Sequence, residues 1–250
     1  MTILLVDIGN SRIKWSYADG DTPGEMVAAD WPDGALDQLA ADAWHSLPAP
    51  SRVVVSNVRG AEVAGQLAAW TRQTWHVEPE FVQPKKQAYG VENAYADPAQ
   101  MGSDRWAALV GAHHLFQQDV CIVDCGTAMT VDALTRDGKH LGGMIAPGLR
   151  LMREALYRGT RGIPASATAG DSDEVFGKDT ASCVQQGTLN AAVALVERSW
   201  FAMCALRSDD TVCVITGGDV PLIVPCLIIP YRHEPDLVLR GLLRIAGSTS

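Results

Sequence analysis

The chain has little positive charge to spare. Against 20 Lys and Arg it carries 29 Asp and Glu, a formal net charge of -9 over 250 residues. That balance argues against general binding to nucleic acid or to an acidic membrane surface, both of which want a basic face. It leaves a local anion site open. Aromatic residues make up 6% of the chain, and the seven tryptophans are scattered, so no stacking platform for single strands is legible. The six cysteines, Cys121, Cys125, Cys183, Cys204, Cys213 and Cys226, include no Cys-x-x-Cys pair, which argues against a zinc ribbon or a catalytic dithiol. Four of them lie inside apolar runs and read as buried thiols of a reducing compartment. No continuous apolar run approaches the roughly 20 residues that span a bilayer. The opening MTILLVDIGN has no basic segment ahead of its apolar residues and does not read as a signal peptide. A cytoplasmic protein with no membrane and no nucleic-acid partner is the expectation. Two nucleotide fingerprints are missing as well. There is no Gly-x-Gly-x-x-Gly, and Gly177-Lys178-Asp179 has neither the glycine spacing nor the hydroxyl residue of a Gly-x-x-x-x-Gly-Lys-Ser/Thr loop.

What is present is an α/β pattern that occurs twice. The length allows one large domain or two small ones, and 47% hydrophobic with 20% charged residues is ordinary for a globular chain. ILLVDIG reads as a short buried strand. SRIKWSYA reads as a second strand with Ile13, Trp15 and Tyr17 on one face, joined to the first by a hairpin through Asn10. Residues 36–47 look helical, 52–58 read as a buried strand and 61–75 as an amphipathic helix. VCIVDCG then opens a second series with a buried strand ending at Asp124, followed by AMTVDALT and by KHLGGMIAP, which ends at Pro147. A helix is expected to open at that proline. Further on come a long helix over 183–206, apolar at Leu189, Val193, Val196, Trp200 and Leu206, the strand TVCVITGG, and a last helix over 236–246. The natural division falls in AHHLFQQD, giving halves 1–115 and 116–250.

In each half the first strand ends in the same way: VDIGNS at residues 6–11 and VDCGTA at 123–128. A carboxylate at a strand end, followed by glycine, presents charge and close backbone N–H groups to whatever approaches the turn. Asn10, Ser11 and Thr127 add hydrogen-bonding side chains. N–H and hydroxyl groups suit phosphate oxygens, and carboxylates suit Mg2+ or another hard cation. One such turn is weak evidence, because Asp-Gly turns are common. Two at matching places in matching halves form a grip for a triphosphate and its metal. TGGD, 216–219, ends another strand with two glycines; it is either a plain turn or a place where a flat adenine ring can approach the backbone.

These turns, in this order, resemble the acetate and sugar kinase, Hsc70 and actin superfamily, in which two ribonuclease-H-like halves hold ATP in the cleft between them. Within it, DIGNSRIKW, ENAYADPAQMGSDRWAAL, DCGTAMTVD, GGMIAPG and TGGD together resemble the type III pantothenate kinases, also called the Bvg accessory factor family. The resemblance runs from Asp7 to Asp219. It implies ATP-dependent phosphorylation of the primary hydroxyl of pantothenate to 4'-phosphopantothenate, the first step towards coenzyme A. It implies that Asp7, Ile8, Gly9, Asn10, Ser11, Arg12, Ile13 and Lys14 form the first phosphate loop, with Thr127 contacting ATP from the second. Asp124 would help hold a monovalent cation, K+ or NH4+, alongside the Mg2+ that accompanies ATP. Asp104 would be the general base. Tyr95, Gly102, Ser103, Asp104, Arg105 and Thr180 would line the pantothenate pocket, with Thr180 reaching it from the second chain of a homodimer. Two departures stand out: Ser11, where the family more often has Thr, and Ser103, where Ala or Val is commoner.

Taken singly, Asp104 also reads as a helix-start carboxylate. A loose phosphoryl-transfer transition state asks for positioning of the hydroxyl more than for basicity, so the two readings agree. Arg105 can bind a carboxylate bidentately, and pantothenate carries one. Lys14 alternates with Ile13 and Trp15, and is either a solvated strand residue or a phosphate contact. His113 and His114 lack carboxylate partners at metal spacing and read as structural, His114 on the buried or flanking face of its helix. The alternative to the kinase is a non-catalytic nucleotide-binding regulatory protein, against which the intact Asp7, Asp104, Asp124 and Thr127 speak.

Overall fold

The computed structural model describes residues 2–30, 40, 43–45, 47–163, 175–207 and 210–247, so most of the helix expected over 36–47 lies outside the described residues. Strand β1 (Ile3–Ile8) is an apolar run with no polar alternation, and Leu4 to Ile8 are all buried, as befits a strand covered on both faces. β2 (Arg12–Ala18) returns antiparallel, with Asp7 opposite Lys14 and Ile8 opposite Ile13. β3 (Val27–Asp30) extends that edge. β4 (Arg52–Asn57) runs parallel to β1 on its other side, placing Ser56 beside Asp7 and Asn57 beside Ile8. α1 (Ala61–Trp75) carries the chain over to β5 (Pro79–Phe81), parallel to β4. Its buried Val63, Leu67, Thr71 and Trp75 recur every four residues, and the helix stops at His76 in the left-handed conformation. Four tryptophans that look scattered in the sequence meet in this core: Trp44 lies 5.7 Å from Trp15 and from Trp70 and 6.3 Å from Trp75. They are packing, not a surface platform.

A small hairpin, β6 (Gln87–Ala88) and β7 (Val91–Glu92), leads to α2 (Ser103–Leu115). The second sheet then repeats the first. β8 (Val120–Cys125), β9 (Ala128–Leu134), β10 (His140–Pro147), β11 (Val212–Thr216) and β12 (Arg232–His233) stand in the order β10-β9-β8-β11-β12, against β3-β2-β1-β4-β5 in the first sheet. β11 runs parallel to β8 and sets Thr216 beside Asp124, as Ser56 stands beside Asp7. α3 (Leu149–Gly159) follows β10; Gly148 is its N-cap, so Pro147 closes the strand instead of opening the helix. α4 (Thr180–Leu206) starts three residues ahead of the expected point because Asp179 and Ser182 form a reciprocal capping box. Its buried Val184, Thr188, Ala192, Val196, Ser199 and Met203 keep a helical period against the second core, whereas Leu206 is exposed. By length and composition alone α4 is apolar enough to cross a membrane, although it holds no unbroken apolar run of that length. A regular buried stripe packed on a sheet is how a core helix behaves. After β11 come the short α5 (Val220–Ile223) and the last helix, α6 (Leu237–Gly247).

The chain divides into two units. One comprises Met1–Gln117, Leu134–Gly142 and Asp236–Ser250, the other Gln118–Ala133 and Gly143–Pro235. Residues 236–250, which the sequence pattern assigns to the second half, therefore group with the first. The reason is that α6 packs on the first sheet and against α2, backbone to backbone at Gly111 and Gly241. Both sheets, their shared order and their covering helices make this an α/β protein of two duplicated ribonuclease-H-like halves.

Of the cysteines, Cys121, Cys125 and Cys213 are buried as expected, Cys204 is half-buried, and Cys183 and Cys226 are exposed.

Candidate functional site

In the first unit two of the predicted clusters meet at the C-terminal ends of β1 and β4. The turn after β1 is closed by the Gly9 N–H donating to Arg12 O at 3.0 Å. Asp7 is buried at the strand end, Asn10 is exposed and Ser11 half-buried. The side chains of Ile8 and Ile13 are fully buried in the core, so only their backbone faces the turn. Arg12 is paired with Asp30 at 3.2 Å, and Lys14 is half-buried on β2. Beside this turn begins α2. Its first residue, Ser103, is buried, and its hydroxyl lies 3.1 Å from Ser56 Oγ and accepts the Asn57 N–H at 3.0 Å. Ser103 thus ties the helix start to the end of β4, which gives the departure from Ala or Val a structural role. Parallel strands gather ligand sites at this end of a sheet, where loops and helix N-termini converge.

Asp104 follows, half-buried in the first turn of α2, its Oδ1 accepting the Arg105 N–H at 2.7 Å. Arg105 is buried, and its Nη1 donates to the Tyr95 hydroxyl at 2.8 Å while its Cζ stands 5.6 Å from the ring centre. Tyr95 is held from several sides. Its N–H donates to Asn93 Oδ1 at 2.9 Å, its carbonyl accepts from Lys86 Nζ at 3.2 Å, and its ring stacks on His140 at 6.3 Å and 23°. His140 is buried, and its Nδ1 accepts the Ala94 N–H at 3.4 Å. A Cβ at Gly102 would stand 2.4 Å from Asp104 Oδ1, so a side chain there would displace that carboxylate. Tyr95, Gly102, Asp104 and Arg105 therefore form one constellation, with Ser103 turned away into β4.

In the second unit three turns converge. The Gly126 N–H donates to Ala128 O at 3.2 Å, the Gly148 N–H to Thr127 O at 3.0 Å, and the Asp219 N–H to Cys125 O at 2.9 Å. A Cβ at Gly148 would fall 2.0 Å from Gly126 O, and one at Gly217, whose φ is +106°, 2.4 Å from Cys125 O. Only glycine admits that approach. Asp124 and Thr127 are half-buried on the first of these turns. Burial and then the charges of Asp124 and Asp219 push the Cys125 thiol up to about 12, so it is no nucleophile at neutral pH. Burial pushes the Asp219 carboxyl up, opposed by the Arg153 guanidinium, the Leu149 N–H and Arg150. The donors around Asp124 are carboxylate and carbonyl oxygens, the set that suits a hard cation. Among the described residues no group of three or more His, Cys, Asp or Glu could hold a metal ion. Thr180 is exposed at the start of α4 and lines an open, largely apolar cavity of about 880 Å³ with Pro147, Met152, Lys178 and Cys183.

His113 is packed against Gly90 and Gly138, while His114 is exposed instead of on a buried face. Four residues at these sites escaped sequence reading: Asn57, Arg59, His140 and Arg153. Only Asn57 and Arg59 left a trace, in the SNVRG turn that follows a legible strand parallel to β1.

The match to known proteins runs the length of the chain. Residues 3–201 match the sequence profile of the type III pantothenate kinases. The type III pantothenate kinase of Nitrosococcus oceani is 42% identical over 253 residues, 99% of this chain and 95% of that protein. That of Herminiimonas arsenicoxydans is 40% identical over 254 residues, 99% and 98% of the two chains. Among solved structures, a conserved protein assigned to the Baf family of transcriptional activators from Campylobacter jejuni aligns with a TM-score of 0.60 at 20% identity, over 97% of this chain and 96% of that one. A 2-dehydro-3-deoxygalactonokinase protein from Sinorhizobium meliloti aligns with a TM-score of 0.60 at 14% identity, over 98% and 97%. Those two likenesses speak for the fold alone. The family profile and the full-length identity carry the assignment: the chain belongs to the type III pantothenate kinase family and is a phosphotransferase.

Proposed function

We propose that the protein transfers the γ-phosphoryl group of ATP to the primary hydroxyl of pantothenate, and that the constellation at the start of α2 is where the acceptor binds. The observation that supports this most is the Ser103 tie, which sets Asp104 beside the first VDxG turn through Ser56 and Asn57. In this reading the loop of residues 7–14 binds the phosphates through the backbone N–H groups at its turn and the Asn10, Ser11 and Lys14 side chains, and Thr127 adds a hydroxyl. Arg105, already oriented by Tyr95, receives the pantothenate carboxylate in a two-pronged bond. Gly102 leaves the backbone open to the substrate, and Tyr95 forms a wall.

Asp104 accepts the proton of the attacking hydroxyl. Its place in the first turn of a helix favours the ionised form, and the hydroxyl need lose its proton only late in a loose transition state. Positioning of the acceptor oxygen is then the larger share of its work. Asp7 and the substrate phosphates would hold Mg2+, and Asp124 would hold K+ or NH4+; when bound, these cations supply positive charge to the phosphoryl oxygens. Thr180, on the exposed start of α4, completes the acceptor pocket of a second copy in a homodimer. The setting is the cytoplasm.

ADP release tests this, with pantothenate and potassium each present and withheld. Turnover should require both. Asp104→Asn should lower kcat by about 10²–10⁴-fold with the fold intact by circular dichroism. An Asn variant with near-normal turnover would remove Asp104 from the mechanism. ATP binding without any ADP would favour the regulatory alternative.

A further inference from the structure

We propose that Arg59 is a positioning residue for the nucleotide: it holds the Asn10 carbonyl and so sets the direction in which the first turn offers its N–H groups to phosphate. The proposal rests on the reading of residues 7–14 as a phosphate loop.

The geometry starts at the end of β4. Because β4 lies parallel to β1, the residues that follow each strand emerge side by side, and the Val58 N–H donates to Ile8 O at 3.1 Å. The next residue, Arg59, is anchored through its own backbone: its N–H donates to Asn57 Oδ1 at 2.9 Å, and Asn57 Nδ2 donates to Gly60 O at 2.8 Å. From this fixed point Arg59 Nη1 reaches the Asn10 carbonyl at 2.6 Å. The same Asn57 accepts Ser103 through its carbonyl at 3.3 Å and donates its N–H to Ser103 Oγ at 3.0 Å. One short turn therefore holds the phosphate turn on one side and the helix of Asp104 on the other.

A peptide unit is planar and trans, so its C=O and the N–H that follows point in opposite directions. Fixing the Asn10 carbonyl towards Arg59 therefore fixes the Ser11 N–H away from it. A carbonyl left free to turn towards a polyphosphate would meet it oxygen to oxygen, where a nest of N–H groups is wanted. Arg12, the cation within the turn itself, is committed to Asp30 and does not supply the same constraint.

The test compares wild type, Arg59→Ala, Arg59→Lys and Asp7→Asn by initial rates, with ATP varied at saturating pantothenate and pantothenate varied at saturating ATP. Thermal midpoints and ADP affinity by calorimetry are measured alongside. Arg59→Ala should raise the KM for ATP about tenfold, the worth of one charge-assisted hydrogen bond. It should weaken ADP to a similar degree and leave the pantothenate KM within about twofold. Arg59→Lys keeps the charge and should recover part of the loss. If Asp7→Asn weakens the nucleotide while both Arg59 variants bind it as wild type does, the proposal fails and the phosphate-loop reading stands. If neither Asp7→Asn nor Arg59→Ala affects ATP, the reading of residues 7–14 fails and takes the proposal with it. A parallel rise in both KM values with a lowered thermal midpoint, not relieved by lysine, would make Arg59 a fold residue and overturn the positioning role.

Discussion

Replacing Gly241 by alanine should destabilise the protein, although alanine is the better helix former. α6 crosses α2 with so little between them that a Cβ on Gly241 would lie 1.8 Å from Ala107 O and 2.5 Å from Ala107 C. On the facing helix, a Cβ on Gly111 would lie 2.6 Å from Leu237 O. These obstacles are backbone atoms and cannot rotate aside. Reaching ordinary contact at 3.4 Å requires the helices to part by about 1.6 Å at the crossing, which loosens Leu237, Leu239 and Leu242, all buried to within 1%. Overpacking of a tight core costs about 1–3 kcal/mol, and a backbone obstacle belongs at the upper end. The helix-propensity gain offsets about 0.5–1 kcal/mol of it. The net loss is about 1–2 kcal/mol, or a thermal midpoint lower by roughly 2–8 °C for a chain of this size. Urea unfolding followed by circular dichroism measures it. Gly65→Ala is the control, because Gly65 lies on the exposed side of α1 with nothing within 4 Å of a Cβ. It should stabilise by about 0.5–1 kcal/mol. A Gly241→Ala protein as stable as its Gly65→Ala counterpart would refute the backbone-to-backbone crossing.

Two further outcomes follow from contacts that hold the acceptor constellation and its helix. His140→Ala removes the ring stacked on Tyr95, worth about 0.5–1.5 kcal/mol, so the pantothenate KM should rise roughly two- to tenfold with the ATP KM unchanged; His140→Phe should keep most of the affinity, and equal KM values in all three proteins would refute the role. Burial, only partly opposed by Asp137, holds His113 below its ordinary value, so the unfolded chain takes up the proton first and stability should fall as pH drops through about 6.5. His113→Gln should flatten that part of the curve, and thermal midpoints between pH 8 and 5.5 that run parallel in the two proteins would deny His113 the effect.

What could be read from the sequence was what is local or periodic. ILLVDI and VCIVDC announce themselves because central strands need apolar residues on both faces, and the aspartate one residue before the end of each is the first that breaks the run. The Gly-Ser-Asp-Arg block is contiguous, so its helix start was visible too. What escaped depends on separation along the chain. The period of α6 shows that one face is buried, but not that its partner is α2; that was decided by two glycines permitting close approach. His140 meets Tyr95 only because the tip of the β9–β10 hairpin belongs to the first unit. Arg59 and Asn10 are 49 residues apart and touch through a side chain, for which no spacing rule exists. Strands of two to four residues, such as β3, β6, β7 and β12, are too short to show a period of two.

The duplicated sheet also explains how one architecture can serve opposite charges. In both halves an aspartate is the last residue but one of the first strand, and a hydroxyl residue stands beside it on the parallel neighbour, Ser56 by Asp7 and Thr216 by Asp124. In both, the turn after that neighbour closes back onto the first turn, through the Val58 N–H to Ile8 O and through the Asp219 N–H to Cys125 O. The side chain delivered there differs in sign. The first half delivers Arg59 to the Asn10 carbonyl, which in the proposed reading turns an acidic strand end into a place for phosphate. The second delivers Asp219, whose carboxyl burial pushes up and whose charge, like that of Asp124, acts on the Cys125 thiol. A carboxylate there suits the cation proposed at Asp124, while Thr127 supplies that half's phosphate contact in the proposed reading. Exchanging the two signs, with Arg59→Asp and Asp219→Arg, would leave both sheets with their strand order and should abolish nucleotide binding, because the equivalence of the halves lies in the backbone and their chemistry in what each turn carries.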